Sequence, residues 1–186
     1  MCEPIRDKRD IDAIKRLLAR KPRDLALFVL GIHSGLRGKD LLALVWADVL
    51  AEDGTIADRV RVTESKTNKV RIVVLQKPAR EALESLLRAT GTPNPEDYVF
   101  RSREGYRKLT TDRLRQLIVS WTSAAKVRGN FGVRTLRKTF GYQLRKAGYD
   151  PALLMRIFGH SSQAITMRYL GIEQEEINEA VLALDL

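Results

Sequence analysis

One short stretch of this chain alternates apolar and polar residues, and nearly all of the rest follows a helical period. Residues 59–75 alternate on either side of SKTN, a pattern typical of two strands joined by a turn. Elsewhere apolar residues recur every three or four positions, which predicts helices over 10–20, 22–33, 39–46, 78–89, 110–126, 133–148, 150–158 and 162–170. We therefore predict an α+β chain that is mainly α, with one small antiparallel hairpin.

Length and charge narrow the class of partner. The 186 residues suit one domain, and 33 Lys and Arg against 23 Asp and Glu leave a net charge of +10. A net charge of about 2 to 8 is enough to keep a small domain soluble. The larger charge therefore indicates a polyanionic partner, and a basic surface that serves only solubility is the alternative. Twelve aromatic residues are few for stacking successive single-stranded bases. Duplex DNA is the favoured partner.

Several other classes are excluded by composition. Cys2 is the only cysteine and is accompanied by just two histidines, so we expect neither a disulfide nor a Cys/His metal cage. The apolar run at 25–32 is too short to span a membrane, and the first ten residues are too charged for a signal peptide. No phosphate-binding glycine motif occurs. We expect a cytoplasmic protein without a metal or other cofactor.

The charge is unevenly distributed along the chain. The segment 173–186 carries five acids and no Lys or Arg, so the first 170 residues have a net charge of +15. Ile177, Val181 and Leu184 fall at helical spacing within this tail, which predicts an apolar stripe with an acidic back. Docking on the chain's own core and docking on a neighbouring subunit both fit this pattern.

Two segments in the first half combine cations with a tight local pattern. In SGLRGKDL, Arg37 lies at a glycine-flanked helix start, and Asp40 lies three residues later on the same face. Lys66 lies at the tip of the hairpin. Taken singly, Arg37 with Asp40 is more typical of an ordinary surface ion pair, and Lys66 is more typical of a solvated hairpin tip.

Two segments in the second half are better defined. The predicted helix at 133–148 has an apolar face, with Arg134, Arg137 and Lys138 on its other faces, so it can bury one side and offer cations to phosphate. Further on, His160 lies at a helix break and Tyr169 lies near the end of the next helix. By itself, 150–170 also fits a helix-turn-helix that reads the major groove.

Taken together and in order, these segments resemble the tyrosine recombinase (phage integrase) family. That family has an Arg in G-L-R-x-x-E/D-L, a hairpin Lys, an H-x-x-R segment, a G-H segment and a nucleophilic Tyr. Here the corresponding residues are Arg37, Lys66, Arg137, His160 and Tyr169. The resemblance covers nearly the whole chain and implies a helical catalytic domain with a small antiparallel sheet.

The resemblance implies a site-specific DNA strand transferase that works without metal or ATP. Arg37 and Arg137 would hold the phosphate, Lys66 would protonate the leaving 5′ oxygen, and His160 would contact the phosphate or assist proton transfer. Tyr169 would form a 3′-phosphotyrosyl bond. The alternative is a DNA-binding regulator or a degenerate integrase remnant without catalysis.

One position departs from the family pattern. Arg134 occupies the place where the H-x-x-R segment usually has histidine. A guanidinium stays protonated, with a pKa above about 12, and cannot accept a proton. The sequence therefore leaves the general base unassigned, although Arg134 remains able to bind phosphate.

The remaining predictions concern organisation and partners. We expect a catalytic domain over 1–172 followed by the tail at 173–186, similar to the small members that invert fimbrial promoter switches without a core-binding domain. Self-association as a tetramer on paired DNA sites is expected, in a nucleoid-associated bacterial, phage or mobile-element setting. The side chains expected to contact DNA beyond the catalytic set are Lys69, Arg71, Arg101, Arg103, Arg107, Lys108 and Lys138.

Overall fold

In the computed structural model, the described residues are 2–102, 105, 107–171, 178 and 181–184, and they form helices and one hairpin. The elements in chain order are α1 Lys8–Leu18, α2 Pro22–Ser34, α3 Gly38–Ala43, α4 Trp46–Val49, β1 Arg59–Thr63, β2 Val70–Val74, α5 Lys77–Thr90, α6 Thr111–Ala124, α7 Arg134–Lys146, α8 Pro151–Phe158 and α9 Gln163–Leu170. The prediction of a mainly helical fold with a small antiparallel sheet is confirmed.

Helix α2 lies at the centre of the molecule. It is apolar on almost every side and packs against α1, α5 and α7, as expected for a helix without a solvent-facing stripe. It ends at Gly35, whose φ of 60° is left-handed, a conformation that glycine adopts without steric cost. The chain therefore turns sharply there and enters the segment that carries Arg37.

Most buried apolar side chains belong to one cluster, which we call the large core. It joins α1 to α6, the hairpin and the start of α7, and its members include Ile14, Leu27, Phe28, Leu41, Trp46, Val62, Leu83, Ile118 and Leu136. A second group, the small cluster, consists of Tyr142, Leu154, Phe158 and Leu170. Helix α7 contributes to both, so it links the two.

The hairpin pairs Arg59 with Val74 and Thr63 with Val70. The turn that joins the strands lacks glycine, and Asn68 takes the left-handed conformation instead, with a φ of 54°. Asparagine tolerates this region better than most residues do. The hairpin thus closes tightly and presents Lys66 at its tip.

The helix predicted over 39–46 is divided in two. Helix α3 ends at Ala43, and Leu44 is extended with its carbonyl accepting a hydrogen bond from the Val99 amide. Val45 forms an isolated bridge with Tyr98. These pairings with a distant segment replace helical hydrogen bonds, which local periodicity could not predict.

The tail is only partly described. Ile177 lies outside the described residues, whereas Val181 and Leu184 are 67% and 66% exposed. These two side chains therefore do not pack on the chain's own core. Within the described ranges, no helix has the length and apolarity needed to cross a bilayer.

Candidate active site

The five residues predicted from the sequence line one cavity of about 760 Å³, together with Arg134. Arg37 precedes α3, Lys66 lies in the hairpin turn and Arg137 lies in α7. His160 follows α8, and Tyr169 lies in the last turn of α9. Residues separated by more than 130 positions in sequence thus meet at one basic depression.

Arg137 is the most firmly held of these side chains. It is 6% exposed and donates to the carbonyl oxygens of Gly35, at 2.6 Å, and Phe158, at 2.9 Å. Its guanidinium also lies 4.6 Å from the centre of the Phe158 ring. Burial lowers the pKa of Arg137 to about 10, so the side chain remains a cation at neutral pH. It also joins the end of α2 to the end of α8.

Arg37 is held by two carboxylates. Its Nη1 lies 2.7 Å from Oε2 of Glu64 and 3.9 Å from Oδ2 of Asp40. Asp40 is therefore near Arg37, as the sequence predicted. The closer partner of Arg37 is Glu64, which no sequence motif indicated. Burial opposes ionisation of Glu64, but the contacts with Arg37 and Thr67, together with the charges of Arg37 and Arg137, outweigh burial and hold the pKa of Glu64 below its usual value.

The alternation of inward-facing and outward-facing residues along β1 is the sequence feature that indicates burial of Glu64. Val60 and Val62 point into the core, and the same alternation makes position 64 the next inward-facing residue. A carboxylate at an inward position requires a cationic or hydrogen-bonding partner. That requirement, applied to the sequence, would have predicted a buried partner for Glu64.

His160 lies directly after a sharp turn. Gly159 ends α8 in the left-handed region, with a φ of 64°, and His160 Nδ1 lies 3.0 Å from Oγ1 of Thr166. That hydroxyl donates its hydrogen to the Ser162 carbonyl, so it accepts from Nδ1 and leaves Nε2 as the acceptor nitrogen of the neutral ring. Burial, reinforced by the charge of Arg137, lowers the pKa of His160.

Tyr169 is packed among aromatic and cationic groups. Its ring centre lies 5.2 Å from that of His160 and 5.6 Å from that of Phe158. The Lys138 ammonium lies 5.0 Å from the tyrosine ring centre. Burial raises the pKa of Tyr169, and the charge and hydrogen bond of Arg137 act in the opposite direction. Ionisation of this phenol therefore depends mainly on the neighbouring cations.

Of the cations expected to contact DNA, Lys138 is buried and Arg71 is half-buried. Lys138 is 3% exposed, and burial lowers its pKa. Arg71 donates to the Ser34 carbonyl at 2.9 Å and to the Gly35 carbonyl at 3.4 Å. Both cations have partners within the fold, since Lys138 lies over the Tyr169 ring and Arg71 is bonded to the end of α2.

The other residues expected to contact DNA differ in exposure and in their partners. Lys69, Arg107 and Lys108 are exposed, and the Lys108 ammonium lies 5.7 Å from the Tyr98 ring centre. Arg101 forms an ion pair with Asp97 at 3.2 Å. Arg103 lies outside the described residues.

Comparison with known sequences identifies one family. The profile described as "Phage integrase family" matches residues 7–176. The chain is 36% identical over 180 residues to "Probable integrase/recombinase YoeC" of Bacillus subtilis (strain 168), covering 96% of this chain and 94% of that protein. It is 26% identical to "Prophage integrase IntR" of Escherichia coli (strain K12), covering 89% of this chain but only 47% of that one.

Solved structures share the fold. The crystal structure of XerA recombinase matches with a TM-score of 0.78 and 22% identity, covering 99% of this chain and 67% of that one. The XerH site-specific recombinase in its post-cleavage complex with a palindromic difH substrate matches with a TM-score of 0.74 and 21% identity. That match covers 95% of this chain and 51% of the XerH chain, so the present chain corresponds to about half of the larger protein.

Proposed function

The chain belongs to the phage integrase family of tyrosine recombinases, which are DNA strand transferases, and we propose that it breaks and rejoins duplex DNA through a bond between Tyr169 and a 3′ phosphate. The observation that carries this proposal is that Arg37, Lys66, Arg137, His160 and Tyr169 share one cavity. The cavity combines phosphate-binding cations, an oxygen nucleophile and a proton donor, the groups that opening a phosphodiester requires.

In the proposed step, the Tyr169 oxygen attacks the phosphorus and the bond from phosphorus to the 5′ oxygen breaks. Arg37 and Arg137 stabilise the charge that develops on the non-bridging oxygens. The Lys66 ammonium gives a proton to the departing 5′ oxygen, so that a neutral hydroxyl leaves. Lys66 suits this role because it is exposed, lines the cavity and lies in the turn of the hairpin.

We propose His160 as the acceptor of the Tyr169 proton. Arg134 lines the same cavity but is a permanent cation. The lowered pKa of His160 keeps its ring neutral near pH 7, and its Nε2 is the nitrogen that can accept a proton because Nδ1 is bonded to Thr166. The phosphotyrosyl bond replaces one phosphodiester by another, so rejoining by a free 5′ hydroxyl needs no ATP.

Duplex DNA is the proposed partner. The XerH relative was solved with a difH substrate, and the exposed cations Lys69, Arg107 and Lys108 are available on this chain to contact phosphates. We also propose self-association on paired sites, with the tail at 173–186 as a docking segment and Val181 and Leu184 as exposed apolar contacts. The proposed setting is the bacterial nucleoid in the cytoplasm.

Covalent trapping tests the function. A duplex is first selected from a random library by its binding to Tyr169→Phe. It is then nicked near each candidate cleavage position, so that the short fragment with the free 5′ hydroxyl diffuses away after cleavage. The wild type should yield a protein and DNA adduct that survives denaturation, and Tyr169→Phe should bind equally well but yield none.

The non-catalytic alternative predicts a different result. A regulator that reads DNA with residues 150–170 would bind specifically, form no adduct at any nick position, and be indifferent to Lys66→Ala and Tyr169→Phe. Absence of adduct from the wild type on every selected and nicked duplex would therefore overturn the enzyme proposal and favour this regulator.

A further inference from the structure

Glu64 connects two parts of the site that are distant in sequence. It directly follows the first strand of the hairpin, is 8% exposed, and its Oε2 lies 2.7 Å from Nη1 of Arg37. The same oxygen accepts a hydrogen bond from Oγ1 of Thr67 at 2.9 Å. One carboxylate oxygen therefore contacts both the phosphate-binding arginine and the turn that carries Lys66.

The turn is held on both sides of Lys66. On one side the Ser65 amide donates to Oδ1 of Asp40 at 3.0 Å, and on the other Thr67 donates to Glu64. Asp40 is 3% exposed, so both acceptors are fixed in the protein interior. The Lys66 side chain is exposed, but the backbone from which it extends is anchored to Arg37 and its neighbours.

The position of Glu64 is also compatible with phosphate binding by Arg37. A guanidinium has five N–H donors in a planar fork, and Glu64 contacts Nη1. The donors on Nη2 and Nε can then face a phosphate while Nη1 keeps its ion pair with the carboxylate. Glu64 thus anchors one end of the Arg37 fork without occupying all of it.

We propose that Glu64 is a positioning residue for DNA cleavage, which holds the Lys66 turn at a set distance from Arg37 so that acid and phosphate-binding cation reach the same phosphodiester. This inference rests on the proposed role of Lys66 as the proton donor. Removing Glu64 leaves Lys66 and Arg37 chemically intact but releases the turn from the arginine. The loss should appear in leaving-group protonation and not in DNA binding.

The experiment compares two leaving groups that differ in their need for a proton. A second set of nicked duplexes carries sulfur in place of the bridging 5′ oxygen at the cleavage position. A thiol ionises near pH 8.5, far below an alcohol, so it departs without an acid. A variant whose defect is the delivery of a proton is therefore rescued by the sulfur duplex, whereas a variant whose fold or phosphate binding is damaged is not.

Four variants are compared with the wild type on both duplexes: Glu64→Gln, Thr67→Val, Lys66→Ala and the control Glu84→Gln, which changes an exposed carboxylate on α5. Thr67→Val removes the link between the turn and Glu64 while keeping the pair of Glu64 with Arg37. A misplaced catalytic group of this kind costs on the order of 10²-fold in rate.

On the oxygen duplex, Glu64→Gln should cleave about 10- to 100-fold more slowly than the wild type, and Thr67→Val should be slowed several-fold. On the sulfur duplex, both variants and Lys66→Ala should come within about 3-fold of the wild type. The DNA affinity of every variant should equal that of the wild type. Glu84→Gln should also cleave both duplexes at the wild-type rate.

Two results would overturn the positioning role while leaving the proposed function intact. One is wild-type cleavage of the oxygen duplex by Glu64→Gln. The other is an equal loss on both duplexes for Glu64→Gln and Thr67→Val while Lys66→Ala is rescued, since this would make Glu64 purely structural. If the wild type itself forms no adduct on either duplex, the failure lies with the proposed function instead.

Discussion

The two sides of the cavity rest on hydrophobic clusters of very different size. Arg37, Asp40 and Glu64 lie on or next to α3 and β1, which are packed into the large core, whereas His160 lies between α8 and α9 and Tyr169 lies on α9. Among the described residues, the apolar support of α8 and α9 is the small cluster, which has four buried members, together with half-buried neighbours such as Phe140 and Ile157.

This difference has a physical consequence for the reaction. The free energy needed to open a region locally rises with the apolar area that the opening exposes. The side that carries Arg37 should therefore remain fixed, while the side that carries Tyr169 can shift at lower cost. Arg137 joins the two, because it donates to Gly35 on one side and to Phe158 on the other.

Breaking that connection should have the largest effect. Arg137→Ala removes a buried cation, leaves the Gly35 and Phe158 carbonyls without their donor, and deprives Tyr169 of the neighbouring positive charge. Cleavage should fall by about 10³-fold or more, since losing one transition-state donor costs roughly 10² to 10³. Adduct formation on the nicked duplex measures the rate, and hydrogen exchange measures protection in α8 and α9.

Arg115→Ala, at an exposed position of α6, is the matched control and should retain both activity and protection. Equal protection of α8 and α9 in Arg137→Ala and the wild type would contradict the idea that Arg137 holds the two clusters together.

A pair of glycine substitutions compares the clusters directly. A Cβ at Gly31 would lie 2.5 Å from Cδ1 of Leu136 in the large core. A Cβ at Gly141 would lie 2.6 Å from Phe158 and 2.7 Å from Leu170 in the small cluster. Each alanine variant should lose about 1 to 3 kcal/mol of stability through overpacking.

The location of the damage should differ between the two variants. Gly31→Ala should lower the melting temperature and the protection of the whole domain, whereas Gly141→Ala should increase exchange mainly within 151–170. If both variants lose protection uniformly, the two clusters unfold as a single unit and the proposed difference in mobility is wrong.

The smallest expected effect is a dependence on pH. The folded pKa of His160 is lowered by burial, followed by the charges of Arg137, Arg37 and Lys66, so folding favours the neutral ring. The associated stability is fully present above the unfolded pKa of about 6.5 and is lost as pH falls through the lower folded value. Acidification should therefore loosen the small cluster.

His33 provides the internal comparison, because burial also lowers its pKa but it lies on α2. Hydrogen exchange between about pH 8 and about pH 5 should show acid-dependent opening of 151–170 that His160→Gln abolishes and His33→Gln preserves. Should His33→Gln abolish it instead, the acid sensitivity would originate in the large core.

Much of the fold was accessible from periodicity, and much of the site from motif order. The hairpin and most helix boundaries agree with the predicted ranges, and Arg37, Lys66, Arg137, His160 and Tyr169 do share one cavity. The division of 39–46 into α3 and α4 was not predicted, because the pairing of Val45 with Tyr98 is between residues distant in sequence. The roles assigned to the five residues remain proposals.

The chemistry available to this protein was determined by its sequence, because residue types and their order establish which groups can act as cation, acid or nucleophile. Only the tertiary structure decided which cations face the cavity. Helix α7 packs against α2 on one side and against α8 and α9 on another, so Lys138 is buried although a helical wheel places it on a polar face. Burial depends on which elements pack together. The contact of Glu64 with Arg37 also arises from packing, between the hairpin and the start of α3, and no sequence motif indicated it.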